Sequence, residues 1–312
     1  MPNYKHLTHG KYHWFHYDQA LTHEDQKFLS TKFGLNQEDL LECHKQKTQR
    51  PKVRSNKAYT YFIFHLPYKP TNSEHFSISE LNVFITKTTL ITVESIGNIT
   101  ALNAYQLQTK KSSKLLERRF KSGPASLFGK LMAKILSELQ ELIDTQGAQI
   151  DKLQQEVFKK HLAKRFIETV SLIRYNQIVA HNSLERQIRV FDQYRGESNP
   201  FNRLDPKSRS YWNQILDSIQ ATYFETESDM DHLEGLVKTF ESLVTHHTNE
   251  VIKILTIFSV LLMPLTLISG IYGMNFVHMP LLTDPMGFIV ISALMVLIAS
   301  LMALIFKLKR WV

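Results

Sequence analysis

With 312 residues, 43% of them hydrophobic and 21% charged, and with only 11 Gly and 10 Pro, the chain is neither collagen-like nor a disordered polymer, and it has room for one to three packed domains. The formal net charge of +8 suggests a nucleic acid or a membrane surface as partner, so the placement of the charges matters more than their sum. The single cysteine, Cys43, excludes an intrachain disulfide and fits a reducing compartment.

The opening stretch, Met1 to Leu21, is rich in His and Tyr and lacks the apolar core of an export signal, so the N-terminal part is expected to stay inside the cell. Residues 1–125 read as a mixed α/β cytoplasmic domain. Helical patterns appear at His23 to Phe33 and Asn36 to Cys43, the first with His23 or Thr22 able to precede its acidic first turn at Glu24 and Asp25. The apolar β-formers Tyr59 to Leu66, Leu81 to Ile85 and Leu90 to Val93 read as strands, the last two joined in a hairpin around Thr86 to Thr89. The histidines His6, His9, His13, His16 and His23 match no zinc-ligand spacing and read as ordinary surface or strand residues. Basic stretches at Lys45 to Lys57 and Lys110 to Lys121 carry no aromatic stacking motif, so they read as solvated faces and no nucleic-acid partner is expected.

From Pro124 the sequence turns to good helix formers, with Leu131, Ile135, Leu139, Leu142, Ile150, Leu153 and Val157 near helical spacing. Residues 126–200 are expected as a cytoplasmic helical hairpin, with helices over roughly 125–160 and 165–195, closed by the break Gly196 to Pro200. A stalk helix is expected over 201–253, with Asp205-Pro206 at its start. No proline follows Pro206 until Pro264, and Trp212, Ile215, Ile219, Met230, Leu233, Val237, Phe240, Val244 and Val251 recur at helical steps with gaps. One helix running on into the next segment would be about 100 Å long and would need neighbouring helices along its length. Between Asp205 and Glu250 nine acids face three bases, a local net of -6, which leaves +14 on the remainder.

Two uncharged apolar runs follow, 254–272 and 286–306, each close to the roughly 20 residues that cross a hydrocarbon core of about 30 Å. The loop between them, 273–285, has no Lys or Arg, whereas Lys253 precedes the first run and Lys307, Lys309 and Arg310 lie in the basic tail, 307–312. The excess of bases on that side places both termini in the cytoplasm and the loop outside, with Trp311 at the interface. Two spans per chain cannot enclose a wide hydrophilic path, so a pore requires several copies around an axis. A face for such an axis runs through Asn249, Ile252, Leu255, Ser259, Met263, Thr266 and Gly270. The same stripe also suits plain helix packing, with Ser259, Thr266 and Gly270 permitting close approach.

At Gly273-Met274-Asn275 the sequence resembles the GMN motif of CorA-type magnesium transport proteins. The motif stands after Met263-Pro264-Leu265-Thr266 and before Met279-Pro280, one further apolar run and a basic tail, in the order of that family's C-terminal module. Upstream, Leu35, Glu38-Asp39, Gln49-Arg50-Pro51-Lys52-Val53 and Tyr59 to Leu66 are similar to its N-terminal pattern. The resemblance implies an α+β cytoplasmic domain, long stalk helices and two C-terminal transmembrane helices, assembled as a homopentamer in the inner membrane.

The resemblance further implies divalent-cation influx, of Mg2+ and also of Co2+ and Ni2+, with Gly273, Met274 and Asn275 as selectivity filter. Mg2+ keeps its octahedral waters tightly, so five Asn275 amide oxygens suit the hydrated ion as hydrogen-bond acceptors. Ile252, Leu255 and Met263 would form apolar constrictions that block conduction by dewetting, and Asn249 a polar ring at the cytoplasmic mouth. An inside-negative potential favours entry of a divalent ion by about 4.6 kcal/mol per 100 mV, so no ATP is needed, and no phosphate-binding loop occurs. No cofactor beyond transported or regulatory Mg2+ and no enzymatic activity are expected.

Two features depart from the family. Met279-Pro280 is followed by Leu281-Leu282 where a Glu is frequent, which leaves Asp284 as the only acid of the loop. The family's cytoplasmic sensor uses a stalk carboxylate; Gln214 stands at that place, with Asp217 nearly one turn on. Glu225, Glu227, Asp229 and Asp231 are an alternative place for intracellular cations, or simply a solvated stalk face. Two other readings remain at this point: a zinc transporter of the ZntB branch, whose motif usually carries Ile in place of Met274, and a membrane-anchored helical scaffold that conducts nothing.

Overall fold

The structure, a computed structural model, describes residues 4–43, 49–95, 99–158, 163–203, 208–276, 279–281, 284–309 and 311. They form two compact units, 1–236 and 237–312. The chain belongs to the expected class, an α/β part, a long helix and two C-terminal apolar helices. The expected helix start at Asp205-Pro206 lies outside the described residues.

In unit 1, six strands form one sheet: β1 (Lys5–His9), β2 (Tyr12–Tyr17), β3 (Lys52–Ser55), β4 (Thr60–Tyr68), β5 (Ser77–Ile85) and β6 (Thr89–Glu94). Their order is β1-β2-β6-β5-β4-β3, and all pairs are antiparallel except the parallel β2–β6 pair. Helices α1 (His23–Phe33) and α2 (Gln37–Glu42) cover one face. Leu21, Leu29, Leu35 and Leu40 meet Phe15, Tyr61, Ile63, Phe84, Ile91 and Val93 there. Alternate residues of the same strands, Trp14, Phe62, Phe64, Val83, Ile85 and Leu90, turn to the other core. Both faces are buried, which is why the central strands read as continuous apolar runs rather than as an alternating pattern.

The second core is shared with α3 (Thr100–Lys111), α4 (Ser113–Phe120), α5 (Gly123–Glu156), α6 (Ala163–Phe191) and the first part of α7 (Arg209–Tyr272). Trp212 is its hub within α7, fully buried with its ring centroid 5.3 Å from that of Phe62 and 5.6 Å from that of Phe191. Segments 1–125 and 126–200 thus share one core. The break at Gly196 to Pro200 forms short 3-10 turns between α6 and α7.

The start of α1 is set by Thr22, whose hydroxyl accepts from Asp25 N while the Asp25 carboxylate accepts from Thr22 N, and its end by Gly34 at φ 65°. The hairpin β1–β2 was not expected from its His- and Tyr-rich sequence. It turns at Gly10, φ 59°, and its histidines sit on strands. In the described part of the basic stretch around Lys52, Arg50, Arg54 and Lys57 are exposed, while Lys52 Nζ lies 2.7 Å from Glu42 Oε1 and Arg54 pairs with Asp39.

Unit 2 contains the rest of α7 and α8 (Gly287–Leu308). Both helices are long and apolar enough to cross a membrane.

Candidate functional site

From Glu241 onward α7 has little cover from its own chain. Ile252 is 54% exposed, Leu255 66%, Met263 75%, and Asn249, Ser259, Thr266 and Gly270 are exposed as well. The covered side of the helix lies elsewhere, through Ile257, Leu261, Leu265, Ile268 and Tyr272; on α8 it runs through Ile291, Met295, Ile298, Met302 and Phe306. All seven residues of the sequence-derived stripe therefore lie on a face that the chain leaves open. Ser259, Met263, Thr266 and Gly270 border an open groove together with Leu262, Ile271 and Met274.

The hydroxyls on this face are tied to their own helix. Ser259 Oγ donates to Leu255 O at 2.9 Å, and Thr266 Oγ1 donates to Leu262 O at 2.9 Å. Each hydroxyl hydrogen is thus engaged, and the oxygen lone pairs are what the exposed face offers, a surface that accepts hydrogen bonds. Pro264 sits inside the helix and brings no N–H, so the Val260 carbonyl one turn earlier lacks its helical donor and adds a further acceptor.

At its end, α7 closes with Gly273 N donating to Ser269 O at 2.9 Å and Met274 N donating to Ile271 O at 3.2 Å. Gly273 is not among the residues with positive φ. What it supplies is room: a Cβ there would stand 3.2 Å from Ser269 O and 3.6 Å from Gly270 O. The missing side chain lets the last carbonyls of the helix lie against open space. Met274 and Asn275 follow, both exposed.

The loop then uses a device that the sequence did not reveal. Asp284 Oδ1 accepts from Met286 N at 2.8 Å, and Asp284 O from Gly287 N at 2.9 Å, so the loop's acid anchors the start of α8. Leu281 adopts φ 66°, and a Cβ on Gly287 would fall 1.9 Å from Leu281 O, so position 287 admits glycine alone without a backbone shift.

At the other end, near Asn249, His246 Nδ1 and His247 Nδ1 each lie 3.8 Å from a Glu250 carboxylate oxygen, all three side chains exposed. The acids expected to collect cations are scattered. Asp217 is held by Arg195 Nη1 at 3.0 Å, Glu227 and Asp231 are exposed, and Asp229 is buried. Glu225 accepts from Gln140, and burial, followed by its Asp144 neighbour, holds its carboxyl above the usual range. Among the described residues no three His, Cys, Asp or Glu side chains are placed to hold a metal ion.

The sequence profile of the family described as CorA-like Mg2+ transporter protein matches residues 9–310. The cobalt/magnesium transport protein CorA of Thermotoga maritima is 26% identical over 275 residues, covering 88% of this chain and 75% of that protein. The complete structure of the CorA magnesium transporter from Methanocaldococcus jannaschii superposes with a TM-score of 0.81 at 20% identity, covering 98% of this chain and 94% of that one. The ZntB cytoplasmic domain from Vibrio parahaemolyticus also matches, with a TM-score of 0.55 at 14% identity, over 80% of this chain and all of that domain. With almost the whole length matched and the apolar helices, the open stripe and the Gly273 helix end in place, the chain belongs to the CorA-like Mg2+ transporter family.

Proposed function

We propose that copies of this chain assemble as a homopentamer in the inner membrane and admit hydrated Mg2+, driven by the membrane potential. Both termini lie in the cytoplasm, and residues 273–285 face outward. The observation that carries this reading is the open stripe of α7. Seven residues at helical spacing, from Asn249 to Gly270, are exposed together and lead to the exposed Asn275.

Around an axis, the Asn275 amide oxygens accept hydrogen bonds from the water shell of the ion, as do the carbonyls beside Gly273. Thr266 and Ser259 continue the acceptor path inward. Ile252, Leu255 and Met263 form the apolar rings that close the path by dewetting, and Asn249 marks the inner mouth. Mg2+ is cargo here, and transport involves no covalent chemistry. Neutral acceptors match an ion that keeps its water, since a stripping cage would have to replace six tightly held ligands.

The test is uptake into proteoliposomes that hold a Mg2+- or Zn2+-sensitive dye, under an inside-negative potential. Mg2+ entry that grows with the potential is the expected result. Zn2+ entry without Mg2+ entry would assign the chain to a ZntB-like activity, and flux of neither ion would leave a non-conducting scaffold.

A further inference from the structure

In unit 1, a polar layer lies where α5, α6 and α7 meet. Asp229 of α7 is only 8% exposed and accepts a hydrogen bond from Gln177 Nε2 of α6 at 2.6 Å. Gln177 is fully buried, yet its amide oxygen Oε1 has no hydrogen-bond partner among the described residues. An orphaned buried acceptor costs about 1–3 kcal/mol, so its neighbourhood is where a missing donor is to be sought.

No donor among the described residues reaches it. On the α5 side a Cβ at Gly147 would lie 3.4 Å from Asp229 Oδ1, so the α5 backbone closes over the carboxyl. The charged groups facing Asp229 are Asp144 and Asp151 from α5 and Glu225 and His232 from α7, while α6 contributes the neutral Gln177. Next to it, Gln140 Nε2 donates to Asp144 Oδ1 at 3.0 Å and to Glu225, and Gln140 Oε1 accepts from Thr222 Oγ1 at 2.7 Å. The layer therefore gathers four carboxyl groups with one imidazole and neither Lys nor Arg among the groups named, and no three of its ligating side chains converge on a metal.

We infer that Asp229 is a proton-binding site: a proton taken from solvent forms an O–H on its carboxyl, and that O–H supplies the donor Gln177 Oε1 lacks. A carboxylic acid and a primary amide can pair through two hydrogen bonds, whereas a carboxylate and the same amide can form only one. The protonated pair clasps α6 to α7 beneath the closed α5 backbone, and loss of the proton leaves a buried charge among acids. Burial is the first cause that moves Asp229 up to about 6, and Asp151 and Asp144 push in the same direction against His232 and the Gln177 hydrogen bond, which favour the charged form.

The sign follows. A carboxyl that holds its proton more tightly folded than unfolded gives stability that is fully present below its unfolded value of about 4 and is lost as pH rises through about 6. This one carboxyl thus favours unit 1 in mildly acid conditions, a contribution independent of the transport reading.

The experiment uses the full chain in nanodiscs, with thermal unfolding of the soluble part read at about pH 5 and about pH 8. On going to the higher pH the unfolding temperature of the unmodified protein should change by about 2–6 °C more in the downward direction than that of Asp229→Asn, with Glu94 and His16 contributing equally to both. Asp229→Asn is a neutral mimic of the acid, and Asp231→Asn, exposed on the same helix, should keep the unmodified response. Retention of the full pH response in Asp229→Asn would overturn the inference, as would its loss in Asp231→Asn. Should Asp229→Asn not fold, infrared spectra of the unmodified protein with carboxyl-labelled aspartate decide. A buried protonated carboxyl band that vanishes as pH rises through about 6 supports the site, and its absence at the lower pH refutes it.

Discussion

On the first part of α7, Trp212, Ile215, Leu216, Ile219, Leu233 and Leu236 are all 6% exposed or less, while further along the same helix Ile252, Leu255, Leu262, Met263 and Leu267 are between 54% and 75% exposed. The residue types are alike, so helix propensity and hydrophobicity do not separate the two regions. What separates them is the partner. The first region is covered by the sheet and by α5 and α6 of its own chain. The second is left to whatever lies outside the chain, and apolar surface of that extent marks a membrane or an interface. On a lipid-facing side such exposure costs nothing, but a face that also carries Asn249, Ser259 and Thr266 suits a shared polar axis.

That contrast can be broken from both ends. Trp212→Ala should have the largest effect on folding, about 3–5 kcal/mol, because it empties a fully buried site ringed by Phe62, Phe191 and Phe201. Thermal unfolding of the soluble part measures it. Gly129→Ala should cost about 1–3 kcal/mol in the same assay, since its Cβ would stand 2.5 Å from Tyr211 Cβ and Cγ, the stiff root of that side chain rather than its tip. If it were neutral, the close packing of α5 on α7 would be wrong. Asp229→Asn is expected to act more gently, raising stability by about 1 kcal/mol at pH 8 and leaving it unchanged near pH 5.

The smallest folding effect belongs to the open region. Met263→Ser, at a position 75% exposed, should move the unfolding of unit 1 by less than about 0.5 kcal/mol. On the proposed pore it should nevertheless raise resting Mg2+ leak into proteoliposomes several-fold, because a hydroxyl would wet the ring proposed to be kept dry by the thioether. A variant that destabilised unit 1 without changing leak would assign Met263 to packing instead.

The sequence was most legible where one physical pattern acted alone. The apolar runs at 254–272 and 286–306, the helical steps of α7 and the capped start of α1, for which Thr22 was one of two candidates, each depend on local composition or a single hydrogen bond, and helices stand there. The hairpin β1–β2 was hidden because its residues are polar and aromatic. Its burial comes from the parallel pairing with β6, a contact more than seventy residues away that no local pattern reveals. The open face of α7 was readable as a stripe. The lattice of Gln140, Gln177, Glu225 and Asp229 was not, because three helices must meet before those side chains share a layer. Asp284 stood out in the sequence as the one acid of its loop, and only the fold shows it holding the start of α8.

In the proposed pore, the exposed Asn275 at the end of the open stripe receives the hydrated ion. Mg2+ uptake by proteoliposomes under an inside-negative potential, compared between the unmodified chain and Asn275→Ala, tests it most directly. The account predicts a loss of uptake of about 100-fold with assembly and unfolding temperature unchanged, in line with removal of a ring of preorganised acceptors. Undiminished uptake by Asn275→Ala would contradict it.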